Sequence, residues 1–580
     1  MNRWIEIILV CAMLAGCASS SEKPIEHDTQ APDEKQTVAS LEENEPETET
    51  FIEPKVLYLL LAAELAGQRH QYEVALDGYL QAAKLVDDPR IAERAAKIGL
   101  FLKDARHTRE AVKLWLEREP DNLAARKLAV LAALQNGDKD KAVEHLNAVL
   151  RLDPAGFEAT LVEMNKVMAK NGRDAFAYEV LDELARQHPD QASIFFVQAL
   201  LASHMRQNDL ALEKNTKALE LQPDWGKALV LQAQLYGRAG DLKAAREYLE
   251  KALRQSPGDD KIRKMLAQVL LDTEAYDDAV ELYQEVLEDK PDDGESRFAI
   301  ALIYLQQKEL GRAEKYLREL LHDPVWEAQA SFYLGRIEYN REHYAKALAW
   351  FDKVTQGPMV FDAKMAAVSL LLGQKRFAEA AERIAAMERD YPQQHLRILL
   401  VKAEMYNETG EHRKAFDLLT DALRSHPDSR DLLYTRALVA ERIDRLDVLE
   451  SDLLKILAKN PDDVGALNAL GYTLVDRTER YQEAEAYLQK ALQLQPDEAV
   501  IIDSYGWLQY KLGNTEAALK YLRQAYDKQP ENEIAAHLAE VLWVTGERGV
   551  ARRMIEKALQ KSPDDRYLLE FKKRFLQGKE

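Results

Sequence analysis

The side chains that could do covalent or metal chemistry are few and scattered. The chain holds 2 Cys and 12 His in 580 residues. A zinc site needs imidazoles, thiolates or carboxylates at ligand spacing, and no His-Glu-x-x-His occurs. An activated serine would sit in Gly-x-Ser-x-Gly and a phosphate cradle in Gly-x-x-x-x-Gly-Lys; neither is present. His188 and His426 fall where inter-helix turns are expected, and His107 and His343 on polar faces, so each reads as a solvated side chain. Glu42, Glu43 and Glu45 form a charge run rather than a ligand set. These residues give no catalytic group, no metal site, no cofactor and no small-molecule substrate, so the chain is expected not to be an enzyme.

The two cysteines belong to the first seventeen residues. Arg3 supplies a positive start, residues 7–14 a short apolar stretch, and Leu14, Ala15 and Gly16 a small-residue cleavage motif before Cys17. That stretch is far shorter than the roughly 20 apolar residues of a membrane span, so residues 1–16 read as a secretion signal. Leu14-Ala15-Gly16-Cys17 resembles the lipobox of bacterial lipoproteins. The resemblance implies that Cys17 becomes the lipidated first residue and that Cys11 is lost with the signal. No thiol then remains for a disulfide or for catalysis. Ala18 and Ser19, by the bacterial sorting pattern, imply the outer membrane, with the protein facing the periplasm.

Residues 17–55 read as the lipidated Cys and a disordered acidic tether. Between Ser19 and Pro54 there are eleven acidic residues and two Lys, with almost no apolar periodicity. Such a segment cannot bury enough surface to offset its ordering entropy. Its coil dimension is about 35 Å r.m.s., further extended by charge repulsion.

The whole chain is acidic too, with 78 Lys plus Arg against 99 Asp plus Glu and a formal net charge of −21. That balance argues against nucleic acid or an anionic bilayer as the main partner, since both need clustered positive charge. At 47% hydrophobic residues the composition is globular, and 24 Gly with 19 Pro are too few for an all-β chain full of tight turns.

The elements beyond the tether announce themselves through proline. From Pro89 through Pro120, Pro154, Pro189, Pro223 and Pro257 to Pro530 and Pro563, fifteen prolines follow at intervals of 31 to 35 residues, and most intervals are 34. No proline after residue 54 leaves this ladder. A small residue recurs at Ala199, Ala233, Ala267, Ala301, Gly335, Ser369, Ala403, Ala437 and Gly471, each 34 from the last. A second ladder runs from Ala177 through Ala211 to Ala415 at the same spacing, skips Leu449, and resumes at Ala484. Small side chains at these places let two helices approach closely. Between them lie apolar residues at helical spacing, such as Leu242, Ala245, Leu249, Ala252 and Leu253. Eight of the fifteen prolines are followed by Asp, among them Asp121, Asp292, Asp428, Asp462, Asp497 and Asp564, where a cap for the next helix is expected.

A 34-residue helix-turn-helix period is the signature of a repeat array. The pattern Ser504-Tyr505-Gly506-Trp507…Gly513…Ala518…Leu522…Ala525…Pro530 resembles the tetratricopeptide repeat. The resemblance covers about residues 56–563 and implies an all-α superhelical solenoid of fifteen helix pairs. Residues 56–190 are degenerate copies and 191–563 regular ones, with 564–580 a C-terminal capping helix and tail.

In such arrays the first helix of each pair lines a concave face. The residues expected there, and assigned to partner binding, are Phe332, Arg336, Tyr339 and Asn340; then Tyr434, Asn468 and Tyr472; then Asp503, Trp507, Tyr510 and Lys511. Trp507 and Tyr510 stand out, because Tyr505, Gly506 and Leu508 already supply the internal contacts of their helix. The lipobox, the acidic tether, the long array and the run from Ile534 to Trp543 together resemble the outer-membrane tetratricopeptide lipoproteins that partner a periplasmic carboxy-terminal processing protease. That resemblance implies a non-enzymatic scaffold whose partners are this serine protease and its peptidoglycan-hydrolase substrates, delivered for degradation. The alternative is a structural subunit of an envelope assembly or exopolysaccharide secretion complex.

Overall fold

The structure, a computed structural model, describes residues 52–577. The signal, its cleavage motif Leu14, Ala15 and Gly16, the lipid-attachment residue Cys17 and nearly all of the acidic tether lie outside the described residues. Among those residues there are thirty-one α-helices, numbered α1 to α31 in chain order, and no strand. They are the fifteen pairs and the closing helix that the period predicts. Odd-numbered helices open each pair and even-numbered ones close it. The chain divides into two compact units, one ending at Gln187 and the other beginning at His188.

One regular pair shows why the sequence folds this way. Helix α11 (Gly226–Ala239) ends at Gly240, whose φ of +83° turns the chain left-handed. Asp241 then caps α12 (Leu242–Gln255) by accepting from the backbone N–H of Ala244. Ala245, Leu249 and Ala252 of the sequence stripe are buried, while Leu242 and Leu253 are half-buried along its edges. Side chains three and four apart share a face, so the stripe enters as one strip the core that includes Leu229 and Ala233 of α11 and Ile262 and Leu266 of the next pair.

The left-handed turn is itself periodic. One residue with φ between +57° and +96° follows the first helix of fourteen pairs. Six are Gly, and the others are His70, Lys103, Arg206, Glu274, Lys308, Glu342, Lys375 and Asp444. The thirteenth pair is the exception: Thr478 has φ −142° there, in the interval between Gly471 and Ala484 that carries one extra residue.

The small-residue ladder does what its spacing suggests. A Cβ added at Gly335 would stand 2.6 Å from Cε1 of Phe351, and one at Gly471 would stand 2.6 Å from Cγ of Leu488. Both neighbours belong to the second helix of the same pair. At the break in the alanine ladder, Leu449 is accommodated at 1% exposure. Nearby, Asp452 is fully buried and takes two hydrogen bonds of 2.8 Å from Arg436.

The Asp residues that follow the prolines act differently from the expectation. After Pro120, Pro291, Pro461 and Pro563 the cap comes one residue later, from Asn122, Asp293, Asp463 and Asp565. Proline lies in the turn, so the first Asp is still outside the helix and too far back to reach its free N–H groups. It reaches the far end of the same pair instead. Asp121 pairs with Arg151 at 3.0 Å, Asp428 with Lys459 at 2.8 Å and Asp497 with Lys528 at 2.9 Å. These exposed pairs add little stability.

Within the first unit the core runs from Ala63 to Ala129, with Trp115 buried at its centre and donating from Nε1 to Glu119 at 3.0 Å. Within the second, buried residues run on from pair to pair through Leu229–Met405, Leu399–Leu508 and Ala518–Phe571. No pair could bury its stripe alone; each is covered by its neighbours.

Candidate protein-interaction surfaces

The residues expected on the concave face fall into two groups. On α17 (Glu327–Asn340), Phe332 is 4% exposed and packs between helices, its ring centre 5.3 Å from Tyr333 and 6.0 Å from Phe351. Arg336 is half-buried with its guanidinium 5.6 Å from the Tyr333 ring centre, and burial lowers its pKa. Tyr339 is half-buried against the edge of Tyr344, and Asn340 is exposed at the helix end. On α23 (Arg430–Arg442), Tyr434 is half-buried beneath the guanidinium of Arg430 at 4.6 Å.

The second group converges. Helices α25 (Val464–Arg477), α27 (Ala499–Lys511) and α29 (Asn532–Val544) are first helices of successive pairs, and α31 (Arg566–Phe571) follows them. Tyr472 on α25 donates its hydroxyl to Oε1 of Glu533 at 2.6 Å and lies 3.4 Å from Nε2 of His537. Asp503 on α27 accepts from Nδ1 of His537 at 2.9 Å. Trp507 stacks on the His537 ring with centres 4.2 Å apart and planes 15° from parallel, while Lys511 lies 4.6 Å from the indole. Tyr510 reaches Glu540 at 3.5 Å, and Arg574 clamps Glu540 with two bonds of 2.8 and 3.0 Å.

His537 is fully enclosed by these groups. Burial alone would depress its pKa, but the carboxylate of Asp503, helped by Glu533 and Asp476, outweighs it and raises it, favouring the imidazolium. Burial, with Glu533 beside it, also raises the Tyr472 hydroxyl, so that it stays a donor. Oδ1 of Asn468, Oδ1 of Asp503 and Nε1 of Trp507 are buried without a hydrogen-bond partner among the described residues.

The sequence reading leaves Trp507 free to meet a partner, and the structure buries it to 4% exposure. The reason is the neighbouring repeat, whose His537 on α29 pairs with Asp503 of α27 and lays its ring against the indole. His537, Glu533 and Glu540 belong to no ligand motif, and nothing in the sequence marks them as a cluster.

A surface that the sequence reading missed is on the first helix of the array. Helix α1 (Pro54–Gln68) buries Val56, Ala63 and Ala66 against its pair. Its opposite side carries Leu57 at 46%, Leu61 at 56% and Leu65 at 53% exposure, with Tyr58 at 71% beside them. Residues four apart lie one above another, so the three leucines form a single stripe. In the next two pairs the first helix packs against the second helix of the pair before it, a neighbour that α1 lacks among the described residues. The signal in the sequence was a helix apolar on all sides at the start of an array, where a polar capping face is the norm. Among the described residues no helix is long and apolar enough to cross a membrane.

Profiles of the Tetratricopeptide repeat match residues 97–157, 196–260, 298–359, 365–430 and 506–566, others of the same description match 238–303 and 270–325, and a third matches 462–531. The chain is 37% identical over 544 residues to TPR repeat-containing protein PA4667 of Pseudomonas aeruginosa, covering 93% of this chain and 90% of that one. Among solved structures it is similar to the APC/C hetero-tetramer Cut9–Hcn1, at 16% identity, 90% and 96% coverage and a TM-score of 0.35. It is also similar to YrrB, a TPR protein with an unusual peptide-binding site, at 24% identity, 34% and 99% coverage and a TM-score of 0.29. With its thirty-one helices, its 34-residue period and this relative along nearly its whole length, the chain belongs to the tetratricopeptide-repeat family.

Proposed function

We propose that this protein is a non-enzymatic adaptor, lipid-anchored through Cys17 at the periplasmic face of the outer membrane. It binds a periplasmic carboxy-terminal processing protease together with peptidoglycan-hydrolase substrates and promotes their degradation. The observation that carries the adaptor reading is the bare Leu57–Leu61–Leu65 stripe on α1, an apolar helix face of the kind that docks against a partner helix or groove. Covering one half-exposed leucine there is worth about 1 kcal/mol. The repeats that follow supply further surface for a second protein. Two proteins held on one scaffold meet at an effective concentration set by the scaffold rather than by diffusion. The lipobox resemblance supports the anchor, and the layout of signal, tether and array supports the choice of partner.

The test is direct. Mature protein should co-elute with a periplasmic serine protease and raise its turnover of a cell-wall hydrolase. Co-purification with polysaccharide export components and no protease would overturn the reading in favour of a structural subunit. Cys17→Ser should leave the helical spectrum unchanged and release the protein from membranes.

A further inference from the structure

Within the second unit, one arginine of a first helix lacks what the others have. Arg336 on α17 is half-buried, and among the described residues no carboxylate or hydrogen-bond acceptor meets its guanidinium. What it meets is the Tyr333 ring, 5.6 Å away. Every other half-buried arginine among the described residues pairs with a carboxylate, as Arg118 does with Asp87, Arg263 with Asp260 and Arg436 with Asp452. Burial lowers the Arg336 pKa, with no acid to oppose it. The place itself is apolar. Leu302 on α15 (Gly294–Gln306) and Leu370 on α19 (Val360–Gly373) stand one 34-residue period before and after it, 8% and 2% exposed. A charge set there is costly until an anion meets it. The same face of α17 carries Gln329, seven residues back, whose Oε1 is buried with no hydrogen-bond partner among the described residues.

Two periods on, the charge is opposite. Glu404 on α21 (His395–Glu408) holds the position equivalent to Arg336, and Glu408 lies one turn further along the helix. Both are exposed, and no base pairs with either among the described residues. Like charges four residues apart repel, so this corner stays negative without compensation. Arg336 and Glu404 do not neutralise one another, because α19 with Leu370 comes between their helices in the stack. One row of first-helix positions thus reads apolar, positive, apolar, negative. A segment with the reverse charges satisfies both ends. Its carboxylate makes a two-point, charge-assisted contact with the guanidinium, and a main-chain N–H beside it donates to Oε1 of Gln329. Neighbouring helices stand roughly 8–10 Å apart and an extended chain advances roughly 3.3 Å per residue, so two helix spacings place the acid and the base about five or six residues apart. We propose that the first-helix face from α17 to α21 binds an extended segment of a partner protein, with one acidic side chain for Arg336 and one basic side chain for Glu404 and Glu408. This contact adds to the adaptor reading without resting on the α1 stripe.

Fluorescence anisotropy of the full chain carrying Cys17→Ser tests this. The probes are labelled synthetic peptides of Ala and Leu with two charged residues about five or six positions apart. The parent should bind the Asp/Lys peptide at least about tenfold more tightly than the Asp/Asp or the Lys/Lys peptide. Arg336→Glu should shift the preference to Lys/Lys, and Glu404→Lys/Glu408→Lys should shift it to Asp/Asp. Binding regained by the matching peptide shows that each variant still folds. Leu61→Asp/Leu65→Asp should bind the Asp/Lys peptide as the parent does, which keeps this result separate from docking at α1. A parent that binds none of the three peptides, or all three equally, would overturn the proposal. So would a preference that neither charge variant moves.

Discussion

Nδ1 of His537 lies 2.9 Å from Oδ2 of Asp503, an ion pair with both side chains at most 7% exposed. It ties two successive first helices together, α27 to α29, and the Trp507 indole forms its floor. A charge so enclosed stabilises only while its partner is in place; removing one member of such a pair typically costs about 3–5 kcal/mol.

The pair makes stability depend on pH. The His537 pKa is raised in the folded protein, because the Asp503 carboxylate with Glu533 and Asp476 outweighs the effect of burial. The folded state therefore holds a proton that the unfolded chain, titrating near 6.5, has released. The associated stabilisation is fully present below about pH 6.5 and is lost as pH rises through the folded-state value. Hydrogen exchange of the α29 amides should accelerate more steeply between about pH 6.5 and pH 9 than the intrinsic rate, relative to helices of the middle repeats. His537→Gln should remove that excess slope. An α29 whose protection follows the middle repeats at every pH would contradict the assignment.

The periodic left-handed turn gives a second expectation. Lys308 holds φ +62° and Glu274 φ +59°, a conformation that L side chains adopt at a cost. Gly fills the equivalent position after α11 as Gly240. Lys308→Gly should be neutral to stabilising, by up to about 1 kcal/mol, because relief of strain is partly offset by the freer unfolded chain. Gly240→Ala should destabilise by about 1 kcal/mol. Denaturant midpoints at constant slope measure both. Equal losses in the two variants would show that the turn does not set the cost.

The period made the fold legible, because proline, alanine and glycine recur for steric reasons that hold in every repeat. Pair number, pair boundaries and the small contacts at Gly335 and Gly471 all follow from it. The surfaces were less legible, for a different reason. Position on a first helix says which way a side chain points, not what the next repeat brings to meet it. Position assigns Trp507 and Phe332 to partner binding, yet the imidazole of His537 covers one and the rings of Tyr333 and Phe351 cover the other. The α1 stripe was hidden by the opposite error: an apolar helix is read as core, and only the open end of the array leaves it bare.

Close helix contact predicts a third outcome. Gly335→Val should overpack against Phe351, and Gly471→Val against Leu488, each at a cost of about 1–3 kcal/mol. Because repeats unfold in part, the loss should appear as faster amide exchange in the affected pair and its neighbours before it appears in the global midpoint. Unchanged exchange in α17 and in α18 (Tyr344–Lys353) for Gly335→Val would mean that the ring of Phe351 simply moves aside.

The last expectation concerns the surface on which the adaptor reading rests. Leu57, Leu61 and Leu65 make few contacts inside the first unit, being about half exposed, so changing them should disturb the fold little. Leu61→Asp/Leu65→Asp should shift the thermal midpoint slightly, within about 0.5 kcal/mol of the parent per site. If the stripe is where the protease docks, burying two carboxylates in that interface should weaken binding by at least about tenfold. Protease turnover of the hydrolase would fall with it, while Leu61→Met, which keeps an apolar side chain of similar volume, should bind normally. Gel filtration of the mixed proteins reads the complex, and hydrolase loss reads the activity. A double variant that still co-elutes with the protease at parental affinity would remove the stripe from the interface and send the search to the later repeats.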